Sequence, residues 1–373
     1  MSKTILLMAG GTGGHIFPAL AVGHYLQNQG WNLHWLGSEG GMEETIVSNH
    51  GIKISLLPVK GIRGKGLVSL LKAPFTIASN VMAAKKIIKQ VKPDVVLGMG
   101  GFASGPGGLA AKLCGIPVVI HEQNAIAGMT NKLLHKVSKF TLQAYPGAFG
   151  NAKKVVTTGN PVRKDIYEKA KQSLPSAEEG KVNLLVVGGS LGAQVFNQKV
   201  PETLNIVNHG LLIDVKHQSG RGKAAEVEAA YQAATNERLT FEVLEFIEDM
   251  AATYEWADLV ICRAGALTVA EVAMAGRAAV FVPFPHAVDD HQTHNARYLA
   301  DQGAAVIIQQ HDLSPQRLAE QITALANNKK HLVEMAQKAQ SLAMPNATQE
   351  VADYCIQAAG VSSKSDGAQG EEV

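Results

Sequence analysis

The sequence predicts an α/β protein of two doubly wound domains, each built on a parallel sheet. Three observations carry that expectation. Short apolar runs alternate with helical patterns along most of the 373 residues. The runs are β-branched or Leu-rich without clean polar alternation, as strands buried on both faces should be. A glycine-rich strand-to-helix turn also occurs twice, as Met8-Ala9-Gly10-Gly11-Thr12-Gly13-Gly14 and Val186-Val187-Gly188-Gly189-Ser190-Leu191-Gly192. The two copies lie about one domain length apart. Helices between such strands imply right-handed crossovers. Composition agrees: 46% hydrophobic and 18% charged residues allow a substantial core and exclude wholesale disorder. Glycine is abundant, at 37 residues, and aromatics are 5%, which favours tight turns over an aromatic-rich β-sandwich.

Ile5–Ala9 opens the first half as a strand and runs into Gly10-Gly11-Thr12-Gly13-Gly14-His15. Glycine permits positive φ and close backbone approach here, and a helix beginning near His15 aims its free N–H groups at the turn. Pro18 suits such a helix if it lies in the first turn. The alternative to a ligand contact is a tight turn and nothing more; the adjacent His favours the ligand. A dinucleotide fingerprint would need Gly where Ile16 stands, although Glu39 could imitate the ribose-binding acid, which keeps a nicotinamide-dependent dehydrogenase as an alternative.

Leu33–Leu36 and Ile54–Val59 are the next strands. Val95–Leu97 leads into the loop Gly98 to Gly108, dense in glycine at a strand's C-terminal end, where open α/β sheets place ligands. Such a loop is a flexible clamp or a nest of N–H donors for an anion. Val118–His121 ends in His121-Glu122-Gln123-Asn124, four polar residues that either satisfy one another or line a pocket. Phe140–Leu142 follows, and Thr158-Gly159-Asn160-Pro161-Val162-Arg163 marks the junction, where Gly and Pro end a strand.

The second half supplies strands at Val182–Val187, Leu211–Val215, Phe241–Leu244, Leu259–Cys262, Ala279–Val282 and Ala305–Ile308. The turns Gly188 to Ala193 and Cys262 to Thr268 can each present a helix N-terminus, roughly half a positive charge, to a diphosphate. Glu271 falls in the helix opened by the second turn, within reach of a sugar's paired hydroxyls, or else it is merely solvated. Asp289-Asp290-His291-Gln292-Thr293-His294-Asn295 reads as a hydrophilic loop and helix start with Asp capping. It lacks HExxH or similar spacing, so no metal is expected there; the reading of the whole chain calls for no cofactor.

The formal charge is +2, but its distribution is lopsided. Residues 1–160 hold 16 Lys/Arg against 5 Asp/Glu, whereas 161–373 hold 18 against 27. Between Glu44 and Asp94 stand nine basic residues and no acid: Lys53, Lys60, Arg63, Lys65, Lys72, Lys85, Lys86, Lys89 and Lys92. Apolar residues from Leu67 to Ile88 are interleaved with them. A merely solvated helix face usually mixes signs, so the 60–92 region suits an anionic membrane surface, while scarce aromatics argue against nucleic acid. Cys114, Cys262 and Cys355 sit far apart, as in a protein of reducing cytosol. Met1 to Gly14 is not a signal peptide, and no apolar run reaches about 18 residues, so membrane contact would be peripheral.

Taken together, these motifs closely resemble the MurG family over about residues 3–360. The resemblance rests on the first glycine turn through His15, Gly61-Ile62-Arg63-Gly64-Lys65-Gly66, Asp94 to Gly101, His121-Glu122-Gln123-Asn124, Gly159-Asn160-Pro161-Val162-Arg163, His217-Gln218-Ser219-Gly220 and Leu267-Thr268-Val269-Ala270-Glu271. One departure is Leu191, where the family more often has Gln. The resemblance implies a GT-B fold, two Rossmann-like domains facing a central cleft. It divides the chain into an acceptor and membrane-associating domain at 1–161, completed by a helix at 341–360, a donor domain at 162–340 and a disordered tail at 361–373. It implies inverting, metal-independent transfer of N-acetylglucosamine from UDP-N-acetylglucosamine to lipid I at the cytoplasmic face of the inner membrane, with cell-wall synthesis proteins as possible partners. Ser190 and Ala266 to Thr268 would then meet the phosphates, Ile247 the uracil, Glu271 the ribose and Gln292 the sugar. Val269 and Ala270 lie between, and Thr12, Gly13, Gly14, Asn124 and Arg163 would complete the donor site. His15 is the first choice of general base and Glu122 the second; the residues do not decide between them. A UDP-N-acetylglucosamine 2-epimerase and a lipid-headgroup-binding module without catalysis remain as rivals.

Overall fold

The computed structural model describes residues 2–59, 67–150, 152–170, 181–207, 211–234 and 238–361, with backbone alone for 67–73. Lys60, the Gly61 to Gly66 motif, the Lys72 side chain and the tail from 362 lie outside the described residues. The chain divides into two compact units, Met1–Val162 with Asn346–Val373, and Arg163–Pro345.

In the first unit the elements run β1 (Thr4–Met8), α1 (Gly13–Asn28), β2 (Asn32–Ser38), α2 (Met42–Asn49), β3 (Lys53–Leu57), α3 (Leu67–Val91), β4 (Val95–Gly98), α4 (Ser104–Leu113), β5 (Val118–Glu122), α5 (Met129–His135), β6 (Phe140–Gln143) and β7 (Val155–Thr157). The second unit continues with α6 (Lys164–Ala170), β8 (Lys181–Val187), α7 (Gln194–Leu204), β9 (Leu212–Gln218), α8 (Ala224–Ala233), β10 (Leu239–Leu244), α9 (Met250–Trp256), β11 (Leu259–Cys262), α10 (Ala266–Ala275), β12 (Ala278–Phe281), α11 (His291–Ala300), β13 (Ala305–Ile307), α12 (Pro315–Asn327) and α13 (Lys329–Ser341). A last helix, α14 (Ala347–Ala358), returns to the first unit.

Both sheets are parallel throughout. Their orders are β3-β2-β1-β4-β5-β6-β7 and β10-β9-β8-β11-β12-β13. The order therefore reverses between β1 and β4 in one sheet and between β8 and β11 in the other. These switch points are where open α/β sheets leave a crevice beyond the strand C-termini.

Period-two geometry sorts the core. Ile5, Leu7 and Ala9 of the first strand face Ile16, Leu20, Val351 and Cys355, while Leu6 and Met8 face Val81, Ile88, Ala110 and Ala111. Helix α14 is held by this packing, by the Lys139 ammonium donating to the Ala358 carbonyl, and by the edge-on pair Phe140–Tyr354. The second unit buries Val182, Leu184 and Val186 with Phe196, Val200, Ile322 and Leu332. Among the described residues no helix is long and apolar enough to cross a membrane.

Several boundaries differ from those the pattern suggests, and each has a cause. Strand β9 runs on through Lys216-His217-Gln218 because the last two polar side chains find buried partners. Strand β7 is three residues, too short for a pattern and marked only by Gly159 and Pro161 beyond it. Helix α1 begins at Gly13, so Pro18 sits inside the helix rather than in its first turn. It lacks the N–H that would otherwise bond the Gly14 carbonyl.

Val351 is fully buried in the first unit's core. We expect Val351→Asp to bury an unpaired charge and cost more than about 3 kcal/mol. Denaturant unfolding of the whole chain should show an early loss; an unchanged midpoint would mean that α14 does not complete this core.

Candidate active site

In the first unit the glycine turn after β1 and the glycine loop after β4 flank the switch point, and they touch. A Cβ on Gly101, where φ is +90°, would lie 2.7 Å from the Gly10 carbonyl oxygen and 2.8 Å from its nitrogen. Only glycine tolerates that approach. The Ser104 hydroxyl fixes the loop, sharing its one proton between the Met8 and Gly100 carbonyls at 2.8 and 2.6 Å. The His15 ring packs against Gly100, whose added Cβ would be 3.0 Å from Nε2. His15 Nδ1 lies 2.9 Å from the Gly10 carbonyl oxygen. A carbonyl can only accept, so Nδ1 carries a proton, and in the neutral form of the ring the lone pair lies on Nε2. Thr12 is the exposed N-cap, and Gly13 and Gly14 form the first helical residues beside it.

The four polar residues ending β5 mostly satisfy one another. Buried Glu122 accepts from the Asn124 backbone and side chain at 3.1 and 3.2 Å, from Gly128 N–H at 3.0 Å and from Asn131 Nδ2 at 2.9 Å. A carboxylate offers about four lone-pair sites, so these donors occupy it. Its position is that of a residue shaping the loop that carries Asn124. His121 donates Nε2–H to the Gly159 carbonyl and accepts from Gln123 Nε2 at Nδ1. Burial holds its pKa down to about 4, so the ring is neutral and ties β5 to the segment after β7.

In the second unit the expected residues gather at the C-terminal ends of β8 to β12. The turn after β8 is compact: a Cβ on Gly188 would lie 2.2 Å from the Ala193 nitrogen, and one on Gly192 would lie 1.9 Å from the Ser219 carbonyl oxygen. Ser190 stands exposed on it. Leu191 is 80% exposed, while its carbonyl oxygen lies against Gly220 and accepts from Lys223. The departure at that side chain thus leaves the backbone turn intact.

Sequence reasoning gave no role to Gln218, which the structure places at the centre of this edge. Its amide donates to the Gly189 carbonyl at 2.8 Å, and its Oε1 accepts from Ile247 N–H at 3.0 Å, tying the first turn to the segment after β10. Behind it, His217 accepts from the Tyr231 hydroxyl and donates to Asn197 Oδ1, whose own amide reaches the Ser219 carbonyl. Burial keeps His217 neutral, with its pKa lowered to about 3.

Helix α10 starts at Ala266 on the other side of the switch point, with Thr268 and Ala270 partly exposed and Val269 buried. Arg263 just before it does not point free: it donates to the Val282, Pro283 and Gln310 oxygens and packs its guanidinium on Phe196 and Phe284. Burial lowers its pKa to about 10, so it remains a cation at neutral pH. Gln292 accepts from Phe284 N–H, which sets the loop after β12. That loop holds Asp289 and Asp290 at positive φ, a conformation non-glycine residues rarely adopt. Asp290 occupies the N-cap position, but its carboxylate accepts from the Thr293 hydroxyl rather than from a backbone N–H.

Glu271 is partly exposed and accepts from the Tyr254 hydroxyl at 3.2 Å. Burial raises its pKa to about 7, against the pull of Arg163 and of that hydrogen bond. Arg163 itself is exposed at the start of the second unit.

Two family models match: the glycosyltransferase family 28 N-terminal domain over residues 5–143 and its C-terminal domain over 183–351. The chain is 51% identical over 355 residues to the UDP-N-acetylglucosamine--N-acetylmuramyl-(pentapeptide) pyrophosphoryl-undecaprenol N-acetylglucosamine transferase of Aeromonas hydrophila, covering 95% of this chain and 97% of that one. It is 52% identical over 360 residues to the enzyme of the same name from Actinobacillus pleuropneumoniae, covering 96% and 100%. The crystal structure of Acinetobacter baumannii MurG superposes with a TM-score of 0.82 at 45% identity, covering 95% of this chain and 99% of that one. The chain belongs to the MurG family. Its two parallel-sheet units are accordingly the two halves of the GT-B fold of MurG-family glycosyltransferases.

Glu271 carries a testable linkage. Its folded pKa, about 7, stands above the ordinary 4.5, so folding favours the protonated form. That contribution is complete below about pH 4.5 and lost as pH rises through about 7. Glu271→Gln should therefore melt higher than wild type at pH 8, by a few degrees, with no gain at pH 5. Equal differences at both pH values would refute the raised pKa.

Proposed function

We propose that this chain transfers N-acetylglucosamine from UDP-N-acetylglucosamine to lipid I, giving lipid II for peptidoglycan synthesis. The observation that carries the reading is near-full-length identity, at about half of all positions, to relatives named for that transfer. The same names disfavour the epimerase alternative, and dense polar organisation at both switch points supports an enzyme over a passive binding module.

The second unit supplies donor recognition. Ser190 and the N–H groups opening α10 at Ala266, Leu267 and Thr268 face the diphosphate, the Ile247 segment takes the uracil, Glu271 takes the ribose hydroxyls and Gln292 the sugar. Thr12, Gly13, Gly14, Asn124 and Arg163 complete the donor contacts. As the bond from anomeric carbon to phosphate breaks, the electron pair leaves with UDP, where oriented N–H groups and Arg163 stabilise it. The acceptor hydroxyl attacks from the opposite face, so the α-linked donor yields a β-linked product. Its proton goes to His15. The free lone pair on Nε2 supports His15 as the base, and the four donors on Glu122 support a positioning role for that residue instead.

Membrane docking belongs to the same proposal. Phe75 is 80% exposed on α3, with Ile77 and Met82 exposed near Lys85, Lys86 and Lys89. On α4 and α5, which pack in series beside α3, Leu113, Met129 and Leu133 are exposed among Lys112, Lys132 and Lys136. Apolar side chains interleaved with cations fit an anionic bilayer, each nearby Lys adding about 1 kcal/mol. This supports peripheral attachment to an anionic bilayer; the proposed reaction calls for the cytoplasmic face of the inner membrane, with cell-wall synthesis proteins as the partners the family resemblance suggests.

Transfer of labelled N-acetylglucosamine to a lipid I analogue, with and without chelator, tests the reaction; an epimer formed from donor alone would sink it. His15→Ala should lower kcat by about 100-fold or more with little change in donor KM, and near-normal turnover would remove His15 from the base role. Reversing charge at Lys85, Lys86 and Lys89 should weaken binding to anionic vesicles by more than about tenfold; unchanged binding would rule out this face.

A further inference from the structure

Beneath the first glycine turn lies Glu43, a fully buried side chain from the first turn of α2. Three glycines make room for it. A Cβ on Gly10, Gly37 or Gly41 would lie 2.3, 2.8 or 2.4 Å from the nearest Glu43 side-chain atom. Its Oε1 accepts from Ser38 N–H at 2.9 Å and its Oε2 from Gly11 N–H at 3.2 Å. That second donor belongs to the peptide group joining Gly10 to Gly11, whose carbonyl oxygen accepts from His15 Nδ1 at 2.9 Å. One amide plane is thus held at both ends, by a carboxylate on its N–H and by an imidazole on its C=O.

We propose that Glu43 is a positioning residue for transfer, acting on His15 through the Gly10–Gly11 peptide. The inference rests on His15 being the base. A carboxylate at the N–H pushes electron density toward the carbonyl oxygen, which strengthens the bond from Nδ1–H and fixes the tautomer that leaves Nε2 free. When Nε2 takes the acceptor proton, the ring becomes an imidazolium, and the polarised carbonyl with the anion behind it stabilises that charge. No proton crosses the peptide. The acceptor oxygen bonds the anomeric carbon, the sugar–phosphate bond breaks, and UDP keeps the electron pair. The arrangement does the work of the carboxylate in a Ser-His-Asp triad, with an amide interposed. An amide of the same shape would fill the site but offers one acceptor oxygen for the two N–H groups, so the cycle with His15, not occupancy of the site, separates coupling from a purely structural role.

The test is Glu43→Gln in the full-length chain, alone and combined with His15→Ala. The single variant should lose about tenfold in kcat, the worth of one hydrogen bond to a charged group, with donor KM within about twofold. In the His15→Ala background Glu43→Gln should add no further loss. A folded Glu43→Gln with unchanged kcat, or one costing the same in both backgrounds, overturns the proposal. A second measurement needs no Glu43 variant: the Gly11 amide proton, followed by NMR, should shift when His15 is replaced by Ala, because its peptide loses the partner on the carbonyl. An unmoved Gly11 resonance overturns the coupling. Near-normal turnover of His15→Ala would instead sink the base assignment, and the Gly11 signal reports on the coupling independently of turnover.

Discussion

Close backbone approach between neighbouring connections at the C-terminal edge of each sheet is the constraint on which the remaining structure depends. Two connections leave neighbouring parallel strands at the same edge, and both must turn into helices without colliding. In the first unit Gly101 lies directly on Gly10 across the switch point, and in the second Gly192 lies on Ser219 while Gly220 lies on Leu191, between the connections after β8 and β9. A single methyl group at these positions would sit well inside van der Waals contact. Once the turns are that close, helix starts, polar side chains and the imidazole of His15 are carried to one edge of each sheet by the backbone itself.

Around those turns the polar side chains divide into two kinds. Glu122, His121, His217 and Gln218 are buried and matched to partners, and their work is to hold loops. Low dielectric makes such networks stiff when every member is paired. His15, Ser190, Thr268 and Glu271 sit partly or fully open to solvent on the loops so held. Glu271 shows the tension between the two kinds, because burial enough to define its orientation also raises its pKa to about 7. A group kept charged for a ligand in that environment weakens the fold that carries it.

Most of the fold was legible because parallel strands buried on both faces must be continuously apolar. Leu184 to Val187 and Leu259 to Cys262 could hardly be anything else. The glycine clusters were equally readable, since only a backbone demand explains glycine at that density. The candidate site was legible in part. His15, Ser190 and Glu271 were flagged by turns next to them, but Gln218 and Glu43 were not. Gln218 precedes the turn Ser219-Gly220-Arg221-Gly222, but nothing in that turn says its side chain ties Gly189 to Ile247, and Glu43 is an ordinary acid in a helix's first turn until Gly10 and Gly41 are folded onto it.

The sequence by itself determined the class of fold, the parallel sheets, the places where glycine was required and the family to which the chain belongs, since all of these follow from local pattern and spacing. Only tertiary structure decided what the polar residues do. Glu122 and His15 are both hydrogen-bonding groups beside glycine-rich loops, and nothing in their local context separates them. Four donors converge on one and leave it holding a loop, while a single carbonyl takes one ring nitrogen of the other and leaves the second free. Those partners lie within nine residues of Glu122 and five of His15, yet the order of residues does not say which way each loop folds back, and hydrogen bonding is settled by where atoms meet in space.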